Sequence, residues 1–197
     1  MWKTSNDRVI VELKGLYDNE IKVGDFTMKV DTIFRKLHNA VQEATVVACP
    51  DNKEIEVGDT VFVHHFVVEN ERIVPVKDKH YRWLEYNQIY ARMRDGILKA
   101  LGYFVLVEPV KFDEAKFKNK TDSGLVLSRK TGTEYVDRVG FVAHVGDEAF
   151  EAGVSVGDKI FFNKNCEYEI NINGKMYYRM EKRDVIAVID PNVEFTV

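Results

Sequence analysis

The side chains able to do chemistry in this chain are few and scattered. His64 and His65 are adjacent, while His38, His80 and His144 stand apart. On a strand, neighbouring side chains point to opposite faces, so His64 and His65 would not share a metal ion. No Cys-x-x-Cys and no His-Glu-x-x-His occurs, and the spacing predicts no metal site. The two cysteines are Cys49 and Cys166. Cys166 sits in a strand-like stretch with nothing to suggest an activating base, so it reads as a packed thiol, not a nucleophile. No Gly-x-Gly-x-x-Gly and no P-loop is present. Asp59 and Asp158 each follow a glycine and read as turn residues. The sequence therefore predicts no catalytic residue, no metal and no cofactor, and the chain is not expected to be an enzyme.

Binding chemistry is easier to find. Gly124, Leu125, Val126 and Leu127 form a short apolar island. Lys116, Lys118, Asn119, Lys120, Thr121, Asp122 and Ser123 precede it, and Ser128, Arg129, Lys130, Thr131, Gly132, Thr133 and Glu134 follow. Two readings stand: buried packing in an ordinary strand, or an anchor for a groove on a partner. The polar flanks favour the anchor. Burying three aliphatic side chains yields roughly 5–9 kcal/mol. Ordering about a dozen loop residues costs on the order of 1 kcal/mol or more apiece. A single loop of this kind binds feebly, and several held together bind well through effective concentration.

The elements that must position this island are written twice. Arg8-Val-Ile-Val-Glu12 resembles Phe104-Val-Leu-Val-Glu108, and Val46-Val-Ala48 resembles Val142-Ala-His-Val145. Tyr81–Ala91 resembles Tyr177–Ala187, and all three matches lie 96 residues apart. Val57-Gly-Asp59 and Val156-Gly-Asp158 match at an offset of 99. The repeated blocks are short β-branched runs bounded by Gly, Asp and Pro, which are strand signals. Helical signal is confined to a turn near Ile33–Asn39. The pattern predicts an all-β chain of two small barrels, over residues 1–95 and 96–197, joined near Met93–Gly102 without a floppy tether.

The chain has 197 residues, 45% hydrophobic and 30% charged, with a net charge of −4. That is ordinary for a globular protein and gives no basic footprint for nucleic acid. No apolar run reaches the ~18 residues of a membrane span, and no signal-peptide pattern opens the sequence. A cytoplasmic protein with neither nucleic-acid nor membrane partners is expected.

The second half resembles the GroES co-chaperonin family. The resemblance rests on Tyr103–Glu108, Ser123–Leu127, Gly140–Gly146, Val156–Asn163 and Glu181–Ile189, in that order over nearly the whole half. The first half carries Asp7–Val11, Val57–Asp59 and Glu85–Ala91, but Lys29-Val30-Asp31 stands where the aliphatic triplet would be. Phe26, Met28 and Val30 are the candidate loop contacts there. The resemblance implies two tandem GroES-like barrels whose mobile loops dock on a GroEL-type chaperonin. Gly124, Leu125, Val126 and Leu127 would be the binding residues, and ATP would be used by the partner. It also implies a homo-oligomeric ring, with a heptamer favoured, closed by strand pairing between units. Val9–Val11 or Val105–Val107, with Ile89–Ala91 or Val185–Ile189, are the candidate pairing strands.

The span from first to second strand, Val9 to Val46 and Val105 to Val142, is longer than the usual family loop, and Asp51–Glu56 and Asp147–Ser155 are too short for the family's roof hairpin. Both features resemble bacteriophage co-chaperonins, which implies the host cytoplasm as the compartment. The alternative is a structural or assembly protein that keeps the barrels as an oligomeric scaffold without chaperonin binding. A dehydrogenase's GroES-like domain is disfavoured, since it would bring zinc ligands and a dinucleotide-binding domain.

Overall fold

A computed structural model describes residues 2–4, 6–16, 20–23, 26–29, 40–51, 53–111 and 135–192. The chain divides into two compact units, Met1–Gly102 and Tyr103–Val197. Each is built on a six-stranded antiparallel sheet, so the all-β expectation holds.

In the first unit the strands are β1 (Arg8–Leu13), β2 (Glu20–Val23), β3 (Phe26–Lys29), β4 (Glu43–Ala48), β5 (Thr60–Val63), β6 (Tyr81–Glu85), β7 (Ile89–Arg94) and β8 (Ile97–Ala100). Strands β2 and β3 form a separate hairpin, and the others line up as β6-β1-β4-β5-β7-β8. Val9, Val11 and Leu13 alternate with Ile10 and Glu12, and the first three are buried. That is the period of 2 that one buried sheet face demands. Ala44, Val46 and Ala48 do the same on β4. Val9, Val11, Leu13, Ala44 and Val46 meet Ile55, Val61, Val63, Val67, Leu84 and Ile89 in one core.

In the second unit the strands are β9 (Phe104–Lys111), β10 (Tyr135–Val145), β11 (Lys159–Phe162), β12 (Tyr168–Ile172), β13 (Lys175–Glu181) and β14 (Val185–Ile189), with a short helix α1 (Asp147–Glu151). Their order is β12-β13-β9-β10-β11-β14. Val105, Val107, Val142, Ile160, Phe162 and Met180 form its core. The run β13-β9-β10-β11-β14 repeats the run β6-β1-β4-β5-β7 strand for strand.

Backbone hydrogen bonds repeat as well. Gly58 donates to the Val46 carbonyl at 2.9 Å and Gly157 to that of Val142 at 2.8 Å. Both glycines have positive φ, 98° and 91°, the region open to glycine without a Cβ penalty. Glu56 N–H donates to Asp59 Oδ2, and Ser155 N–H to Asp158 Oδ2, each at 2.8 Å. The two aspartates thus tie the turns that feed β5 and β11.

Several expectations change. Among the described residues neither ladder closes into a barrel: β6 and β8 end one sheet, β12 and β14 the other. The chain parts after Gly102 and not after Asp95, because β8 pairs with β7 through Arg92↔Lys99 and Met93↔Leu98. Between β7 and β8 lies a tight hairpin in which Asp95 and Gly96 both take positive φ, 51° and 78°, the geometry favoured for a two-residue hairpin turn. Val9–Val11 and Val105–Val107 cannot pair with another chain, since β1 lies between β6 and β4 and β9 between β13 and β10. The turn expected near Ile33–Asn39 lies outside the described residues. In the second unit α1 occupies the place of the roof hairpin, and its own Ala149 is the residue it buries.

Candidate functional site

The long connection of each unit leaves from the same two strands. In the second unit β9 and β10 carry residues 112–134 between them, and Lys111 pairs with Tyr135 at the stem. A bulge follows between Tyr135 and Gly140. Arg138, inside it, takes a left-handed φ of 61°. Its Nε donates to the Phe162 carbonyl at 2.9 Å, and its guanidinium lies 4.3 Å from the Phe161 ring centroid. Gly140 ends the bulge where no side chain fits: a Cβ there would collide with Val107 Cγ1 and come within 2.8 Å of the Glu108 carbonyl oxygen. Tyr135 packs edge-on against Tyr178, which packs edge-on against Phe162. Burial, reinforced by Glu169 and Glu167, pushes the Tyr178 phenol up to about 12, so it stays protonated. The stem is an aromatic and bulged platform from which the connection departs.

Gly124, Leu125, Val126 and Leu127 lie on that connection, outside the described residues. The first unit's connection leaves from β1 and returns to β4, where Lys14 Nζ and Glu43 Oε1 pair at 2.5 Å. It contains the β2–β3 hairpin, with Val23 opposite Phe26 and Ile21 opposite Met28. Phe26 opens β3 with 78% of its surface exposed. Met28 lies on the same strand, and Val30 falls outside the described residues.

The histidine pair does not sit on a strand. His64 follows β5 and caps a 3-10 turn, His65–Val68, by accepting the Phe66 N–H on Nδ1 at 3.2 Å. The turn buries Val67 and Val68. The two imidazoles lie with centroids 4.1 Å apart and planes tilted by 30°, so they share a side instead of opposing one another. Among the described residues no group of three or more His, Cys, Asp or Glu side chains comes together to hold a metal ion. Cys166 is also off-strand, in the turn before β12, where its Sγ donates to the Asn163 carbonyl at 2.9 Å. Burial, with Asp184 and Glu167 nearby, pushes that thiol up to about 12. Burial of this kind disfavours the thiolate, which is the nucleophilic form.

One cluster escaped the sequence reading. Arg94 on β7 donates from Nε and a terminal nitrogen to the two Asp59 oxygens, each at 2.7 Å, and from the other to Glu56 Oε1 at 2.6 Å. Burial pushes the Asp59 carboxyl up, but the Arg94 bonds and the Glu56 N–H outweigh it and hold it below the usual carboxylate range. Asp59 was legible as a turn residue; its cation, 35 residues away, was not. Among the described residues, the site consists of braced stems and the exposed Phe26 at the head of β3.

Residues 97–189 match the family model of the chaperonin 10 kDa subunit, Cpn10. The Co-chaperonin GroES of Fusobacterium nucleatum subsp. polymorphum is 33% identical over 93 residues, which cover 47% of this chain and 98% of that protein. The Co-chaperonin GroES of Bacillus pumilus is 33% identical over 99 residues, 47% of this chain and 99% of that protein. That of Treponema denticola is 32% identical over 93 residues, 47% of this chain and 98% of its own. Proteins matched over essentially their full length by half of a chain, whose two sheets share one strand order, leave one assignment: the chain belongs to the chaperonin 10 kDa (GroES co-chaperonin) family.

Proposed function

We propose that this chain is a co-chaperonin, a ring-forming lid that caps a GroEL-type chaperonin and assists its ATP-dependent folding of other proteins. The observation that carries the reading is the match to co-chaperonins over nearly their entire length. In this reading Gly124, Leu125, Val126 and Leu127 dock on the chaperonin as an extended apolar segment. Phe26, Met28 and Val30 supply the first unit's contacts. The ring, with seven chains the favoured number, gathers many weak loops into one strong attachment. The chain performs no bond chemistry, and nucleotide hydrolysis belongs to the partner. The working compartment is the cytoplasm, that of a host cell if the gene is carried by a bacteriophage. No described helix is long and apolar enough to cross a membrane.

The test is co-sedimentation with a GroEL-type chaperonin, with and without ATP. Wild type is expected to bind only with nucleotide, and a Leu125→Ser, Val126→Ser, Leu127→Ser variant is expected to lose binding while keeping its assembled mass. Unchanged binding by the variant would remove the triplet from the reading. A scaffold role without chaperonin capture is the second reading, favoured by the first unit's Lys29-Val30-Asp31 in place of a triplet. A wild-type assembly that ignores chaperonin under all nucleotide conditions would establish it.

A further inference from the structure

The stems of the two connections begin alike and end differently. In the first unit Val11 pairs with Val46 and Leu13 with Ala44. The Val41 N–H then reaches the Leu16 carbonyl at 3.1 Å, in the same register. In the second unit Gly140 pairs with Pro109, and the next pair is Tyr135 with Lys111. Five positions along β10, from 135 to 140, answer two along β9, so the bulge holds three extra residues.

The neighbouring strands do not cause this. β5 and β11 shift register against β7 and β14 at equivalent residues, Val63 and Phe162. His64 and Asn163, which follow, donate to the Gln88 and Asp184 carbonyls at 3.0 and 2.8 Å. The difference lies at two residues 96 positions apart, Gln42 and Arg138. Gln42 serves β5 with its backbone, since its carbonyl accepts the Val63 N–H at 2.8 Å. Arg138 serves β11 with its side chain. Nε donates to the Phe162 carbonyl at 2.9 Å, and the guanidinium lies 4.3 Å from the Phe161 ring centroid. Its own backbone is left at a φ of 61°, a region that costs any residue with a Cβ. A strained backbone held by a side chain that reaches the next strand is over-determined, and such places mark function. Bulges re-aim the chain that follows them.

We propose that Arg138 is the positioning residue of the second connection. It pins the bulge to β11 and so fixes the direction in which the chain bearing Leu125, Val126 and Leu127 departs. The first unit, with Lys29-Val30-Asp31 in place of the triplet, runs an ordinary ladder at the same point. A fixed stem narrows the space its tethered segment searches, which raises the effective concentration of that segment at a groove and lowers the ordering left to do on docking. The inference rests on the co-chaperonin reading.

The test compares assemblies of equal mass carrying Arg138→Gly, Arg138→Lys or Gln42→Ala. Glycine accepts the positive φ and removes both side-chain contacts, so relief of strain offsets the lost bond and the thermal midpoint is expected to change little. Hydrogen exchange over residues 135–139 is expected to quicken by about fivefold or more, the equivalent of ordering one residue. Capture by a GroEL-type chaperonin with ATP is expected to weaken by at least the same factor. Lysine keeps the charge but not the Nε donor, and is expected to behave as glycine does. Gln42→Ala is expected to leave capture unchanged. Full capture by either Arg138 variant overturns the proposal, as does a loss of capture that only follows a fall in thermal midpoint. Unchanged exchange at the stem in Arg138→Gly overturns it whether or not wild type is captured. Faster stem exchange with no capture of wild type supports the pin and counts against the lid reading.

Discussion

Arg94 holds both carboxylate oxygens of Asp59 across the β5–β7 ladder, and the residue 96 positions after Arg94 is Asp190. The first unit therefore closes its Val-Gly-Asp turn with an ion pair whose cation is replaced by an aspartate at the matching position of the second unit.

Asp59 makes the first unit the more acid-sensitive. Its folded pKa lies below the ordinary value, so its contribution is fully present above about pH 4 and is lost as pH falls through the folded pKa. The urea midpoint of the first unit is expected to drop more steeply in wild type than in Asp59→Asn as pH falls below about 4. At pH 7 Asp59→Ala should cost about 1–2 kcal/mol through loss of the turn cap and the buried acceptor. Parallel pH profiles for wild type and Asp59→Asn would show that the pair carries no pH-linked stability.

Gly140 is required by packing, since a Cβ there strikes Val107 and the Glu108 backbone. Gly140→Ala should destabilise the second unit by roughly 1–3 kcal/mol, the usual cost of overpacking. Gly15→Ala, with nothing within 4 Å of the added atom, is the matched control and should change little. Chemical denaturation followed by tyrosine signals of the second unit would read the difference. Equal effects at both glycines would show that the bulge relaxes freely.

Both thiols should be slow toward a disulfide reagent at pH 8. Cys166 is pushed to about 12 by burial, and the Cys49 thiol is also raised, by burial and by Asp59, Asp51 and Glu56. Cys49 is only half-buried and should react first, with Cys166 following when the second unit opens. Thiol titration with and without denaturant separates the two. A fast-reacting Cys166 in the folded protein would reopen its reading as a nucleophile.

The parts of the fold legible in the sequence are those set by local chemistry. Alternation at Val9, Val11 and Leu13 declared β1, and the Val-Gly-Asp turns announced themselves through glycine's conformational freedom. What depends on distant partners was not legible. Residues Ile97–Ala100 read as the start of the second unit, yet they pair with β7 because an open edge lies one tight turn away. His64 and His65 looked like strand residues; the need to bury Val67 and Val68 turns the chain there into a 3-10 turn instead. The five-residue α1 is too short to show a helical period. For the candidate site, the stems were placed by the repeat, while Arg138 in the bulge and Arg94 on Asp59 had no sequence signal.

Phe26 separates a structural from a binding role in the first unit. A phenylalanine 78% exposed at the head of a two-stranded hairpin stabilises little, because burial and not mere presence brings the hydrophobic gain. Phe26→Ser should leave the thermal midpoint unchanged. If the first connection touches the chaperonin, the same change removes an aromatic contact worth about 1.5–3 kcal/mol when fully buried. That corresponds to roughly tenfold or more weaker capture per engaged loop. Because loops in a ring act together, the loss should be larger for the assembled protein than for a single loop peptide. Competition binding with wild-type and Phe26→Ser assemblies measures it. Equal capture would assign attachment to Leu125–Leu127 alone and leave the first hairpin without a part in binding.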